Sequence, residues 1–298
     1  MKEIYDKCWE LREDANNIIF NQFDEFGNPI YHYHVTGRAI EEVADKLTND
    51  YRITAYVSAT GSAGTIAAGD YLRKLYPHLK VVATEAVQCP TLYMNGFGGH
   101  RIEGIGDKHV PWVHNVRNTD VVTAIDDEDC MRLLRFFNEE AGLQYMEQLG
   151  LSQDSAASMS LLGISSICNL LAAIKTAKYF ELNEKDVIFT IFTDSVELYE
   201  SRLIELRDSF GKYARDHALR DHAALLQEQR TDYFRELNYR DRKTIHNLKY
   251  YTWVEQQGKS YEEILEQWNP EYWEQIFEGE VGYFDELIEQ MDAEIGLS

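Results

Sequence analysis

Residues 55–86 read "AYVSATGSAGTIAAGDYLRKLYPHLKVVATEA". An apolar run passes into Gly61, Ser62, Ala63, Gly64 and Thr65, and these lead into a helical pattern. The first N–H groups of a helix have no intrahelical partner, and small residues let an anion come close to them. The chemistry on offer is phosphate binding at the positive end of a helix. The plainer reading is a tight strand-to-helix connection. On these residues alone both stand.

Other residues invite metal chemistry less well. His32 and His34 alternate along what reads as an extended segment, as two ligands could, but no third ligand stands nearby in sequence. His217 and His222 sit five apart in a helical pattern, poorly placed to share an ion, and read as surface residues. Cys8, Cys89, Cys130 and Cys168 are widely spaced, so free thiols are expected rather than disulfides or a zinc site.

The elements that position the glycine-rich turn follow from periodicity. Residues 3–13 predict a helix, Ile18 to Phe20 a short buried strand, and "DEFGNP" a loop in which Pro29 halts regular structure. "GRAIEEVADKLTN" places Ile40, Val43, Ala44 and Leu47 at helical spacing. "RITAYVSA", "KVVATEA" and "TDVVTAID" predict strands, and "DVIFTIFT" a further, buried one. Helices are expected over "TIAAGDYLRKLY", ending before Pro77, after Asp126 or Asp127 as cap, and over "SSICNLLAAIKTAKYF". Residues 87–115 form a long irregular segment with no clear period, a place where function concentrates. Strands alternating with helices predict a three-layer α/β fold with a mostly parallel open sheet. Ligands in such sheets bind at the carboxyl ends of strands, where residues 61–65 lie.

After residue 200 the alternation gives way to a helical pattern with no strand-like run, which divides the chain into an α/β domain, 1–200, and a helical extension, 201–298. Residues 201–254 carry a net charge of +3 and residues 255–298 a net −12. The last segment is therefore expected either to cover a basic surface or to present a solvated acidic face. Fifteen aromatic residues in 201–298 argue against a disordered tail, and Trp253, Trp268 and Trp273 are expected to include at least two that are buried, at an inter-subunit contact.

The whole chain carries −22, which argues against nucleic-acid or anionic-membrane binding. No apolar run reaches membrane-spanning length and no signal peptide is apparent, so a cytoplasmic location is expected.

The motifs "NQFDEFGNPIYHYHVTG", "TGSAGT", "VATEAVQCPTL", "HRIEGIGDKHVP", "GISS" and "FTDSVELY" fall in one order. In order and spacing this series resembles the C-terminal part of the fold-type II pyridoxal-phosphate enzymes, the cysteine synthase and cystathionine beta-synthase family. The resemblance covers residues 10 to 200; about fifteen extra residues precede "GISS", and 201–298 has no counterpart in cysteine synthase. It implies that Gly61, Ser62, Ala63, Gly64 and Thr65 hold the phosphate of pyridoxal 5'-phosphate, with Ser62 and Ala63 replacing the family's Thr and Gly. It implies that Ser165 meets the pyridine nitrogen with a neutral hydroxyl, which favours elimination and replacement at the β-carbon. Read without the resemblance, Ser165 is a helix cap. Gln22 falls beside the substrate carboxylate, and Gly104, Ile105 and Gly106 on the loop lining the cofactor face. Glu85 matches a family acid and reads equally as a structural carboxylate; Asp194 and Ser195 match a turn that helix capping also explains.

The family's Schiff-base lysine lies in its N-terminal half, and nothing here matches it; Lys108 is not at that position. The resemblance therefore implies a PLP-dependent β-elimination or β-replacement on a small amino acid, by a homo-oligomer or with a second subunit carrying the N-terminal half. The alternative is a catalytically inactive binding or regulatory subunit on the same fold.

Overall fold

A computed structural model describes residues 2–48, 50–279 and 281–297. In chain order the first part comprises α1 (Lys2–Arg12), α2 (Gly27–Tyr31), α3 (Gly37–Ala44), β1 (Arg52–Ala59), α4 (Ala67–Leu75), β2 (Lys80–Ala86), α5 (Thr91–Met94) and β3 (Val121–Ile125). There follow α6 (Asp127–Asn138), α7 (Glu140–Gln148), α8 (Gln153–Ala157), α9 (Ile164–Tyr179) and β4 (Asp186–Thr190). The rest comprises α10 (Glu200–Phe210), α11 (Arg215–Asp221), β5 (Phe234–Glu236), α12 (Tyr239–Asn247), α13 (Tyr261–Glu266), α14 (Pro270–Glu274) and α15 (Val281–Ile295).

The sheet runs β4-β1-β2-β3-β5. β4, β1, β2 and β3 are parallel, with Val57 beside Val82 and Thr190, and Ala83 beside Val122. The central strands are continuous apolar runs because helices cover both of their faces. On one face Val57, Val82 and Val121 pack with Leu133, Leu134 and Phe137 of α6 and Ile167 and Leu171 of α9. On the other, Tyr56, Val81 and Ala83 pack with Ile40 of α3 and Ala68 and Leu72 of α4. Asp126 caps α6, its carboxylate accepting from Glu128 N.

Several expectations are corrected. Ile18–Phe20 is not a strand: the segment pairs with nothing, and Ile18 and Phe20 are 77% and 87% exposed. An apolar run becomes a strand only where it pairs with a neighbour, and among the described residues this one joins no ladder. The 24–29 loop is partly helical, with Pro29 in the first turn of α2, where its missing N–H costs nothing. His32 and His34 lie in a five-residue π-helical turn, His32–Thr36, not in an extended segment. β4 is a half-buried edge strand, not a fully buried one. β5 lies in the region expected to be wholly helical, antiparallel to β3. At three residues it is too short to show an alternation.

Residues beyond 200 wrap the sheet past its β3 edge. Leu203, Leu206, Tyr213, Ala218 and Leu225 join the α6/α9 core, while Leu237 and Ile245 join the other. Trp253 and Trp273 are buried (1% and 4% exposed), in contacts within the chain itself. Trp253 packs on Trp112 at 6.0 Å and donates to Val110 O at 2.8 Å. The fully buried Lys249 donates from Nζ to Trp112 O, His114 O and Gln267 Oε1, satisfying all three of its N–H groups.

Trp253→Ala is expected to destabilise the chain by about 3–5 kcal/mol, and Trp268→Ala, half-buried, by clearly less. Urea denaturation measures both; equal or negligible losses would show that the extension is not held through the Trp112–Trp253 contact.

Candidate functional site

The turn 60–66 leaves β1 at its carboxyl end and enters α4. It is anchored from below. Tyr56 Oη donates to Thr65 O at 2.7 Å, and Ser58 Oγ meets Thr65 Oγ1 at 2.8 Å. Thr60 N and Oγ1 both reach Thr84 O on β2. Among the described residues, the N–H groups of Gly61 through Ile66 find no protein acceptor. Ala63 stands in the left-handed region at φ 65°, which turns successive N–H groups toward one side.

These donors open on a cavity of about 190 Å³. It is lined by Gly61, Ser62, Ala63, Gly64 and Thr65 on one side and Ser165 on another, with Gln22, Gly104 and Ile105 at its walls. The structure thus brings together every residue expected at the site except Gly106. Gly106 lines a neighbouring apolar groove of about 490 Å³ between α1 and residues 19–25, which shares Gln22 with the first. Its N–H still ties the loop to Thr60 O at 2.8 Å. The positive φ of Gly104 and Gly106 explains why both are glycine.

Four further polar residues line the cavity. Asn28 donates from Nδ2 to Ser62 Oγ at 3.0 Å and Gln22 O at 2.9 Å. A Cβ on Gly64 would stand 2.0 Å from Asn28 Oδ1, so the two positions are fitted to each other. Asn169 accepts from Ala59 N and donates to Ile191 O, both at 2.7 Å, stapling the ends of β1 and β4. Thr193 Oγ1 lies 3.2 Å from Ser165 Oγ. His32 holds Thr36 Oγ1 through Nδ1, and burial lowers its pKa. Asn169 had a signal in sequence: it is polar, in an apolar helix, one turn after Ser165. Asn28 was hidden in a stretch that reads as a turn.

The remaining candidates are elsewhere. Glu85 accepts from Leu92 N and Tyr93 N, closing the start of α5, while burial pushes its pKa up to about 8; it serves structure. Asp194 accepts from Tyr199 Oη, and its carbonyl receives Gly163 N ahead of α9. His34 bonds Phe277 O, pointing away from His32. His217 accepts from Ala214 N and His222 packs by Phe136 and Tyr145; both are half-buried. No lysine lines the cavity; Lys108 is exposed, its Nζ over Tyr5. No single described helix is long and apolar enough to cross a membrane.

No family model matches the chain. A cysteine synthase of Staphylococcus aureus (strain Mu50 / ATCC 700699) is 28% identical over 202 residues, which are 67% of this chain and 58% of that protein. A probable cysteine synthase of Bacillus subtilis is 31% identical over 201 residues, 65% and 57% of the two chains. The chain thus spans well under two thirds of the length of these relatives. Among solved structures, O-acetyl serine sulfhydrylase isoform 3 of Entamoeba histolytica superposes with a TM-score of 0.57 at 27% identity, covering 74% of this chain and 59% of that one. These relatives and neighbours are fold-type II enzymes whose cofactor is pyridoxal 5'-phosphate, and the described α/β body has their fold over the matched part.

Gly64→Ala is expected to destabilise the chain by about 1–3 kcal/mol, and to cost clearly less in an Asn28→Ala background. Urea denaturation of the single and double variants tests this. Strictly additive losses would mean that Asn28 does not set the space at Gly64.

Proposed function

We propose that this chain forms the cofactor-holding part of a pyridoxal-phosphate enzyme that eliminates or replaces the β-substituent of a small amino acid. The carrying observation is the run of unaccepted N–H groups from Gly61 to Ile66, facing a cavity whose other wall offers the Ser165–Thr193 hydroxyl pair. That is a phosphate cradle at one end and a neutral hydroxyl partner for a ring nitrogen at the other. In this reading Gly61, Ser62, Ala63, Gly64 and Thr65 bind the phosphate, and Asn28 fixes the turn by holding Ser62. Ser165, oriented by Thr193, meets the pyridine nitrogen. Gln22 faces the substrate carboxylate, and Gly104 and Ile105 close the cofactor face, held in place by Gly106. When bound, the cofactor supplies an electron-withdrawing ring conjugated to the substrate amino group.

The lysine that carries the cofactor comes, in this reading, from residues outside these 298, on a second subunit or further chain. The exposed Ile18 and Phe20, beside Gln22, support this, since they are apolar side chains awaiting cover. The four free cysteines fit a cytoplasmic setting. The absence of a lysine from the cavity wall also supports a second reading, a regulatory subunit that binds the cofactor without doing chemistry.

Titration of the chain with pyridoxal 5'-phosphate, followed by quenching of tryptophan fluorescence, is expected to show saturable binding that inorganic phosphate competes away. Gly64→Val should weaken it roughly tenfold or more, because the side chain displaces Asn28 and fills the turn. Borohydride should leave no cofactor covalently attached. Unaltered affinity in Gly64→Val, or a trapped adduct on Lys108, would overturn the assignment. Co-expression with a lysine-bearing N-terminal segment separates the two readings: β-elimination that appears on assembly supports the enzyme, and its absence from an assembled complex supports the regulatory subunit.

A further inference from the structure

A second cavity, of about 350 Å³, lies in the seam between the α/β body and the extension and shares no lining residue with the first. Its polar wall is the carboxylate of Asp70, on α4. Asp70 Oδ1 accepts from Asn115 Nδ2 at 2.7 Å and from Asn118 Nδ2 at 2.5 Å. Among the described residues, Oδ2 accepts nothing, and no Lys or Arg forms an ion pair with this group.

Among the described residues, the buried carboxylates Asp120, Asp127, Glu139 and Asp221 each hold an arginine, whereas Glu85 is held by backbone N–H groups and the half-buried Asp70 by side-chain amides. Asp70 bonds only two neutral amides; Arg73 and Lys74 of the same cavity wall act on it without pairing, and desolvation outweighs them, pushing its pKa up to about 7. A desolvated carboxylate without a direct ion pair gains from a ligand that brings one.

The facing wall is aromatic and comes largely from the extension. Phe277 stacks on Tyr33 at 4.5 Å with the rings 7° from parallel, and Trp273 packs on Phe277 at 5.9 Å. Aromatic faces opposite a carboxylate are the surroundings an organic ammonium selects. The rim carries cations beside acids: Arg73, Lys74 and Arg117 stand with Glu274 on the wall, Lys74 half-exposed in a pair with Glu278, and Arg117 donating from Nη1 to Trp268 O while lying over the Trp268 ring. Exposed pairs of this kind exchange partners at little cost.

We propose that this cavity binds a small α-amino acid as its zwitterion, the ammonium on Asp70 against the aromatic wall and the carboxylate on Arg117 and Lys74. The extension then forms one wall of a ligand site, distinct from the cofactor cavity and independent of how that cavity is read.

Isothermal titration of the full chain with each of the twenty standard amino acids at pH 8 tests the proposal. At least one should bind saturably, and excess pyridoxal 5'-phosphate should not displace it. Asp70→Asn should weaken that binding roughly tenfold or more, the loss expected of a charge-assisted contact. Arg117→Gln should weaken binding of the amino acid several-fold and leave binding of its methyl ester unchanged, which separates the carboxylate contact from the ammonium contact. If Asp70→Asn does not fold by circular dichroism, Arg117→Gln and Phe277→Leu carry the test, each with a several-fold loss. Failure of all twenty to bind, displacement by the cofactor, or affinity indifferent to these substitutions would overturn the proposal.

Discussion

Among the described residues, the N–H groups of Gly61 to Ile66 find no acceptor. A buried backbone donor left unpaired costs on the order of 1–3 kcal/mol, so a turn with several of them persists only if its surroundings hold it. Here they do. Tyr56 and Ser58 fasten Thr65 from within β1, Thr60 is tied to β2, and Asn28 presses on Gly64 while bonding Ser62. The loop 104–106 closes from the far side, with Gly104 O 3.2 Å from where a Cβ on Gly61 would stand. Each of these contacts comes from a different element, and together they fix the direction of the donors before any ligand arrives. Such preorganisation removes ordering cost from binding.

The parallel sheet makes this convergence possible. β1 and β4 end side by side, so the turn after β1 and residues 191–194 after β4 reach the same space. Asn169 binds both strand ends from α9, and Ser165, one turn earlier on that helix, is thereby set against Thr193. A single helix register thus couples the ends of two neighbouring strands to the site above them. The edge position of β4 leaves its residues half-buried.

What the sequence displayed clearly was whatever depends on local pattern. β1, β2 and β3 are apolar runs because both faces are covered, and the glycine-rich turn announces itself by composition. Gly61–Thr65, Ser165, Gln22, Gly104 and Ile105 line one cavity, while Gly106, named with them from the resemblance, lines the neighbouring groove. What it concealed depends on partners distant in sequence. Ile18–Phe20 has strand composition without an edge to join, and Phe234–Glu236 becomes a strand only because β3 offers one. Asn28 and Thr193 are ordinary polar residues until their neighbours are known, and Pro29 reads as a stop until its place in a first turn is seen. Of Trp253, Trp268 and Trp273, of which at least two were expected to be buried, Trp253 and Trp273 are, but the surface they cover is the chain's own loop 110–114 and α2–α4 layer.

The charge of the extension follows a similar division between what is neutralised and what is solvated. Of its many carboxylates after residue 255, Glu278 meets a cation of the body, Lys74, while Lys259, the only cation there, reaches back to Asp24. Attachment rests instead on buried contacts: Lys249 with three acceptors, Trp253 on Trp112, and Phe277 on Tyr33. Exposed pairs contribute little to such an attachment and buried aromatic contacts contribute much. The acidity after residue 255 is therefore not what holds the segment down. It leaves the outer face strongly anionic while the inner face is apolar, and in the seam between body and extension Asp70 is held by amides and forms no ion pair.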